Sequence, residues 1–453
     1  MNILLRIVTG LVAVGVVAVA GAVAYLVVAP PELLRVATGY AAKTVCSNVF
    51  IAGRDPDEVL AVDVQAPGHP VLKFVRQSVD MSAGTVTARM LGLFATSIAI
   101  HRNGLGCASV PDGNVAAAQA VQLAQAPQIA PPGDAVWPMG GRVEMMATPT
   151  LADIMGNAAL TGPGMRAVVV VKGGEIIAEA YSEGFTADTP LLGWSMTKTA
   201  NAALIGRLSA AGLIGLDDAA LRPEWTDARR DITLRDLLGM ESGLAFNEDY
   251  GDVSDVNRML FLEPDMARFA AAQPQAEAVG AQFTYSSGTA TLLARIWMDR
   301  IGDPVAALAY PRGALFDPLG MTSAELEADA SGTLVGSSYM YATARDWARF
   351  GLFLLQDGVW NGTRLLPPGW VAAMNASNGL PGNYSQMQSW LQGPNDEDAA
   401  EGVPEDAFWL IGHDGQTVAI VPSEELVVVR LGLTPSDQGY RPERLVKALT
   451  DAT

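Results

Sequence analysis

Ser195-Met196-Thr197-Lys198 opens a stretch, Ser195 to Ala211, in which Ala, Leu and Ile recur at helical spacing until Gly212 closes it. Residues three apart share a helical face, so the Ser195 hydroxyl and the Lys198 amine meet on the first turn. That turn also aims unpaired backbone N–H groups at the place where a carbonyl oxygen would gain negative charge. A serine hydroxyl is a poor nucleophile without a base beside it. A lysine serves as that base only where burial or nearby positive charge favours the neutral amine over its usual pKa of about 10.4. The chain has 24 Arg and five Lys (43, 73, 172, 198 and 447), and no other Lys has a Ser three residues before it. Where Arg supplies permanent charge, a retained Lys points to use of its removable proton. The tetrapeptide alone also fits a capping Ser followed by a solvated Lys. Its surroundings decide.

Upstream, Arg166 to Lys172 is a β-branched run, Gly173-Gly174 a turn and Glu175 to Tyr181 a second strand, which together predict a hairpin. Helices are predicted at Thr233 to Met240, Ser254 to Ala272, Thr289 to Ile301 and Thr343 to Leu355. Near the end, Ala407 to Ile411, Thr417 to Val421 and Leu426 to Leu433 read as strands, followed by a helix from Pro442 to Leu449. Strands at both ends with helices between them close into one antiparallel sheet, an α+β fold.

Two further motifs lie on that frame. Tyr285-Ser286-Ser287 follows the Gly-led stretch Gly280 to Thr284 and precedes the helix from Thr289, where a phenol would relay a proton to a leaving group. Alone it reads equally as a half-buried aromatic. His413-Asp414-Gly415 sits at the end of one late strand, where Gly lets a ligand's backbone approach. Alone it reads equally as a turn histidine.

In this order and spacing, residues from about 140 to 450 resemble the serine β-lactamase superfamily, and within it the class C-like branch. That branch includes class C β-lactamases, related esterases, DD-peptidases and 6-aminohexanoate-dimer hydrolases, and the chain most resembles 6-aminohexanoate-dimer hydrolases and family VIII esterases. Supporting stretches are Gly193-Trp194, Ile232 to Leu238 with Glu241-Ser242-Gly243-Leu244, Pro318-Leu319-Gly320-Met321 and Thr343 to Gly351. The resemblance implies a β-lactamase/transpeptidase-like fold with a helical subdomain. It also implies an acyl-enzyme on Ser195, with Lys198 and Tyr285 managing the proton and the backbone N–H groups of Ser195 and Gln416 holding the oxyanion. It places Ser287, His413 and Gly415 against the substrate, and Tyr250 on a loop over the cleft. No cofactor is implied. β-Lactamases of this branch have Tyr-x-Asn and Lys-Thr-Gly; here Ser287 and His413 replace the Asn and the Lys, so groups that recognise β-lactams are missing. The expected function is a serine hydrolase of esters or linear amides, with a DD-peptidase or a non-catalytic sensor on the same fold as the alternatives.

At 453 residues the chain exceeds one ordinary domain. Residues 1–30 read as a membrane signal-anchor, 31–112 as a small region containing Cys46 and Cys107, 113–134 as an Ala/Gln/Pro-rich linker and 135–453 as the catalytic domain. Ile7 to Val28 carries no charge and is long enough to span a bilayer, more than the apolar core of a cleaved signal requires; cleavage stays the alternative. The lone Cys pair fits a disulfide in an oxidising compartment, against two unrelated buried thiols. The expected location is therefore the cytoplasmic membrane, single-pass, with an extracytoplasmic body touching lipid through residues 7–28. Three scattered His and two Cys show no metal-ligand spacing. A net charge of −19 excludes nucleic acid as a partner, because phosphate binding needs a basic surface.

Overall fold

The computed structural model describes residues 2–125, 127, 133–145, 148–251, 253–395 and 401–453. The Pro131-Pro132 end of the linker and residues 396–400 of the acidic stretch lie outside them. The chain divides into two compact units: residues 1–101, 107–116 and 249–264, and residues 102–106, 117–248 and 265–453.

The first unit begins with α1 (Asn2–Val28), whose stretch Arg6–Val28 has a mean hydropathy of 2.7 and is almost wholly exposed, with Leu26 near its end partly buried against the unit's core. Pro30-Pro31 separates it from α2 (Glu32–Phe50), because Pro disfavours a helical residue before it. α2 turns Ala37, Ala41, Val45 and Val49 inward, the three-to-four-residue spacing of one helical face. Against that face packs an antiparallel sheet of β1 (Val75–Asp80), β2 (Thr85–Met90), β3 (Phe94–Arg102) and β4 (Gly106–Ser109). Cys46 of α2 is joined to Cys107 of β4 in a disulfide. The helix Asp255–Leu262 completes the unit: Phe261 packs on Gly39, and its ring meets Tyr40 edge-on at 5.5 Å.

Ser254 to Ala272 is therefore not one helix, as its periodicity predicts. It breaks into Asp255–Leu262 and Met266–Ala271 around Glu263-Pro264-Asp265, because Pro264 has no N–H and forces Glu263 out of the helical region. The predicted linker is also shorter than its composition suggests. Val115–Ala120 is a helical turn with Ala118 buried; alanine is the best helix former, and packing decides the rest.

In the second unit, α3 (Pro149–Gly156) precedes the predicted hairpin, β5 (Met165–Lys172) and β6 (Glu175–Tyr181). These join β7 (Phe408–Gly412), β8 (Gln416–Val421) and β9 (Leu426–Gly432) in one antiparallel sheet ordered β7-β8-β9-β5-β6. The closing pair is β9 with β5, Val428 opposite Val170 and Arg430 opposite Val168. Both strands are apolar over most of their length, Arg430 in β9 and Arg166 and Lys172 near the ends of β5 being the exceptions, because both sheet faces are covered. The C-terminal helix Pro442–Ala452 and α3 cover one face through Leu445, Leu449, Leu151 and Ile154. The helix Ala344–Leu355 covers the other, where Gly351 lies so close to Val427 that a Cβ would come within 2.5 Å of it. The α+β expectation holds.

Candidate functional site

The helix predicted from Ser195 begins two residues later. Trp194–Met196 forms a tight turn of its own and α4 runs Thr197–Ala210. Trp194 takes a left-handed backbone, φ 48°, which is costly for a bulky residue and holds Ser195 at the head of α4. Two glycines permit this. A Cβ on Gly193 would lie 2.3 Å from the Trp347 ring, and one on Gly412, the last residue of β7, would lie 2.2 Å from the Gly193 carbonyl oxygen. The serine turn is thus seated directly on the end of the sheet.

Lys198 is 1 % exposed. Its amine donates to Ser195 Oγ (2.9 Å), Ser287 Oγ (3.1 Å) and the Ser337 carbonyl (3.0 Å), using all three N–H bonds of the charged form. Burial pulls its pKa down to about 8, and the nearby Glu248 carboxylate opposes that shift. The helix α5 (Ser287–Ile301) starts beside it, capped by Ser286, whose hydroxyl accepts from Thr289 N–H at 3.0 Å.

Tyr285 stands just before that cap. Its ring lies 4.6 Å from the Lys198 nitrogen, and its hydroxyl hydrogen-bonds Ser195. Tyr384 and Trp390 wall it in, with ring centroids 5.7 and 5.2 Å away. Burial, with Glu248 adding, raises the phenol well above its usual range, and the bond to Ser195 works the other way. The structure therefore brings Ser195, Lys198 and Tyr285 together.

Ser287 is fully buried, and its hydroxyl lies between Lys198 and Glu248. Glu248 accepts from Ser287 Oγ at 2.5 Å and from Ser287 N–H at 2.8 Å. Sequence reasoning passed over Glu248, because one acid in Asn247-Glu248-Asp249-Tyr250 carries no signal that it meets Ser287, 39 positions on. Ser337, which supplies a backbone oxygen, was equally invisible.

His413-Asp414-Gly415 forms the turn between β7 and β8, with Asp414 and Gly415 left-handed at φ 59° and 79°. His413 packs edge-on against Trp194 at 5.7 Å, and its Nδ1 lies 3.0 Å from Asp414 Oδ1. Burial pulls the imidazole down, but the bond to Asp414 outweighs it and leaves His413 above its usual pKa. The Gln416 side chain braces the turn, donating to the carbonyls of His413 (3.1 Å), Asp414 (3.2 Å) and Gly432 (2.6 Å). Arg430, fully buried on β9, holds the Gly415 carbonyl at 3.0 Å. Tyr250 belongs to the first unit, where its carbonyl accepts from Asn257 Nδ2 at 3.4 Å.

The family model for beta-lactamases matches residues 157–449. The chain belongs to the β-lactamase family. Within the family its character is class C-like. It is 27% identical over 297 residues to the 6-aminohexanoate-dimer hydrolase of Paenarthrobacter ureafaciens, across 59% of this chain and 72% of that one. Among solved structures, a candidate 6-aminohexanoate-dimer hydrolase from Bacillus anthracis superposes with a TM-score of 0.53 at 23% identity, covering 64% of this chain and 79% of the other. A family VIII carboxylesterase superposes at 0.52 with 16% identity, covering 69% and 100%. Likeness at these identities establishes the β-lactamase/transpeptidase-like fold.

Proposed function

We propose that this protein is a serine hydrolase that cleaves esters or linear amides through an acyl-enzyme on Ser195. The observation that carries the reading is the buried Lys198 amine, 2.9 Å from the Ser195 hydroxyl and depressed to about pKa 8. Neutral Lys198 takes the Ser195 proton as Oγ bonds to the substrate's carbonyl carbon. The backbone N–H groups of Ser195 and Gln416 hold the resulting oxyanion. Tyr285 passes the proton to the leaving alcohol or amine, the carbon–heteroatom bond breaks, and the acyl group stays on Ser195. Water then gives up a proton through Tyr285 to Lys198 and adds to the acyl carbon, and Lys198 returns the proton to Ser195 Oγ as the acid leaves. His413 and Gly415 border the substrate in this reading. Ser287 is buried against Lys198 and Glu248, which leaves it no free face for a substrate amide.

The relatives support ester and amide substrates: one is named for a dimer of 6-aminohexanoate, another as a carboxylesterase. The apolar α1 and the Cys46–Cys107 disulfide support a body outside the cytoplasmic membrane, anchored by residues 7–28 or released after cleavage there. Mass spectrometry of the mature N-terminus separates those two fates.

An active-site fluorophosphonate tests the reaction. It should label the folded protein and leave Ser195→Ala unlabelled, and nitrophenyl esters or linear amides should turn over without a lasting penicillin adduct. Labelling that survives in Ser195→Ala would sink the nucleophile assignment. A stable adduct with fluorescent penicillin would instead favour a DD-peptidase.

A further inference from the structure

Ser287 has one hydroxyl proton, and its neighbours decide where that proton goes. Glu248, an acceptor, takes the Ser287 hydroxyl at 2.5 Å and the Ser287 backbone N–H at 2.8 Å. With its proton committed there, Ser287 Oγ can only accept from Lys198, which approaches at 3.1 Å. The Ser337 carbonyl, 3.0 Å from the same amine, has no proton to give. Two of the three partners of Lys198 are thus fixed as acceptors. The third, Ser195 Oγ at 2.9 Å, has a hydroxyl proton of its own and can accept or donate, with Tyr285 as its other partner.

The consequence appears when Lys198 loses a proton. A neutral amine keeps two N–H bonds and gains one lone pair. Ser287 and Ser337 claim the two N–H bonds, so the lone pair faces the Ser195 hydroxyl. Were Ser287 free to rotate, it could donate to Lys198, and the lone pair would be spent on the wrong serine. We propose that Glu248 is a positioning residue: acting through Ser287, it points the lone pair of neutral Lys198 at the Ser195 hydroxyl.

The proposal rests on the reading of Ser195 as nucleophile and Lys198 as its base. Glu248 also acts on Lys198 by charge, favouring the ammonium against the pull of burial. The other groups facing that amine are Ser195, Ser287, the Ser337 carbonyl and the Tyr285 ring, with Tyr384 behind Tyr285. One carboxylate therefore directs the hydrogen bonds and, against the larger effect of burial, moves the pH at which the base becomes available upward.

The test uses the full chain in detergent, with nitrophenyl ester hydrolysis followed against pH. Glu248→Gln keeps the shape, removes the charge and offers Ser287 an N–H in place of an acceptor. The expected result is a fall in kcat of about 100-fold, KM within about threefold, and an acid limb of kcat/KM moved down by about one pH unit. Glu248→Asp keeps the charge but withdraws it by one methylene, and should give a smaller shift in the same direction. An acid limb within about 0.2 unit of wild type in every folded variant overturns the proposal, because a merely structural carboxylate would lower activity without moving it. Failure of both variants to give a cooperative melt overturns it too, since Glu248 would then serve the fold. If Ser195→Ala still takes up fluorophosphonate, the underlying reading fails. If Ser195→Ala is inert while Glu248→Gln leaves the limb unmoved, only the role of Glu248 fails.

Discussion

Lys198 carries the sharpest expectation at the scale of single residues. Its base form is the neutral amine, and burial lowers its pKa to about 8, so the active fraction rises with pH through that value. At pH 7 roughly a tenth of molecules hold the neutral amine. We expect kcat/KM for a neutral ester to climb about tenfold per unit below pH 8 and level off above it. The phenol of Tyr285, raised by burial, keeps its proton through that range and delays any alkaline fall. A profile flat from pH 6 to 9 would remove Lys198 from the role of base. The sequence exposed this residue because lysine is scarce here and sits three places after Ser195. It did not expose Glu248, whose effect depends on lying half-buried against Ser287, 39 positions along the chain.

At the scale of elements, the seat of Ser195 depends on how the end of β7 meets the turn before α4. Gly412 and Gly193 face each other with no space for a side chain between them. In Gly412→Ala the new methyl group would press on the Gly193 carbonyl and displace Ser195, two residues further on. A misplacement near 1 Å costs about 100-fold in rate, so kcat should fall that far while the melting temperature drops modestly. Unchanged kcat in a folded Gly412→Ala protein would show that the contact does not set the nucleophile. The five strands of the second unit's sheet were readable from β-branched and apolar runs bounded by turn residues. The boundaries that shifted have local causes: Pro264 splits one predicted helix, and the strained Trp194 delays the start of α4.

For the molecule as a whole, the Cys46–Cys107 bond closes a loop with a sequence separation of 61 inside the first unit. Chain-entropy reasoning puts its contribution at about 4 kcal/mol, large beside the net stability of a small unit. Reduction, or replacement of both cysteines by Ser, should lower the melting transition of that unit by many degrees in calorimetry. Equal transitions with and without dithiothreitol would show that α2 and its sheet hold without the bond. α1 makes a separate contribution to behaviour in solution. Leu11, Val14 and Val17 are 67%, 68% and 71% exposed, an apolar surface that water does not tolerate at this length.

The sequence by itself determined what local chemistry and periodicity can carry. It marked the Ser195–Lys198 turn, the five strands at the two ends of the catalytic region, the phenol before a helix start, the glycine-containing turn after a late strand and the long apolar N-terminus. Each of these is a relation between residues a few positions apart, set by helical or strand geometry. Tertiary structure alone decided which distant groups finish the site. Ser287 and the Ser337 carbonyl reach Lys198 from 89 and 139 positions away, Glu248 fixes the proton of Ser287, and Tyr384 and Trp390 enclose Tyr285. The pairing of β9 with β5 and the packing of helices against that sheet bring them into reach. The depressed lysine follows from the same cause, because burial is a property of the assembled core that no short stretch of sequence contains.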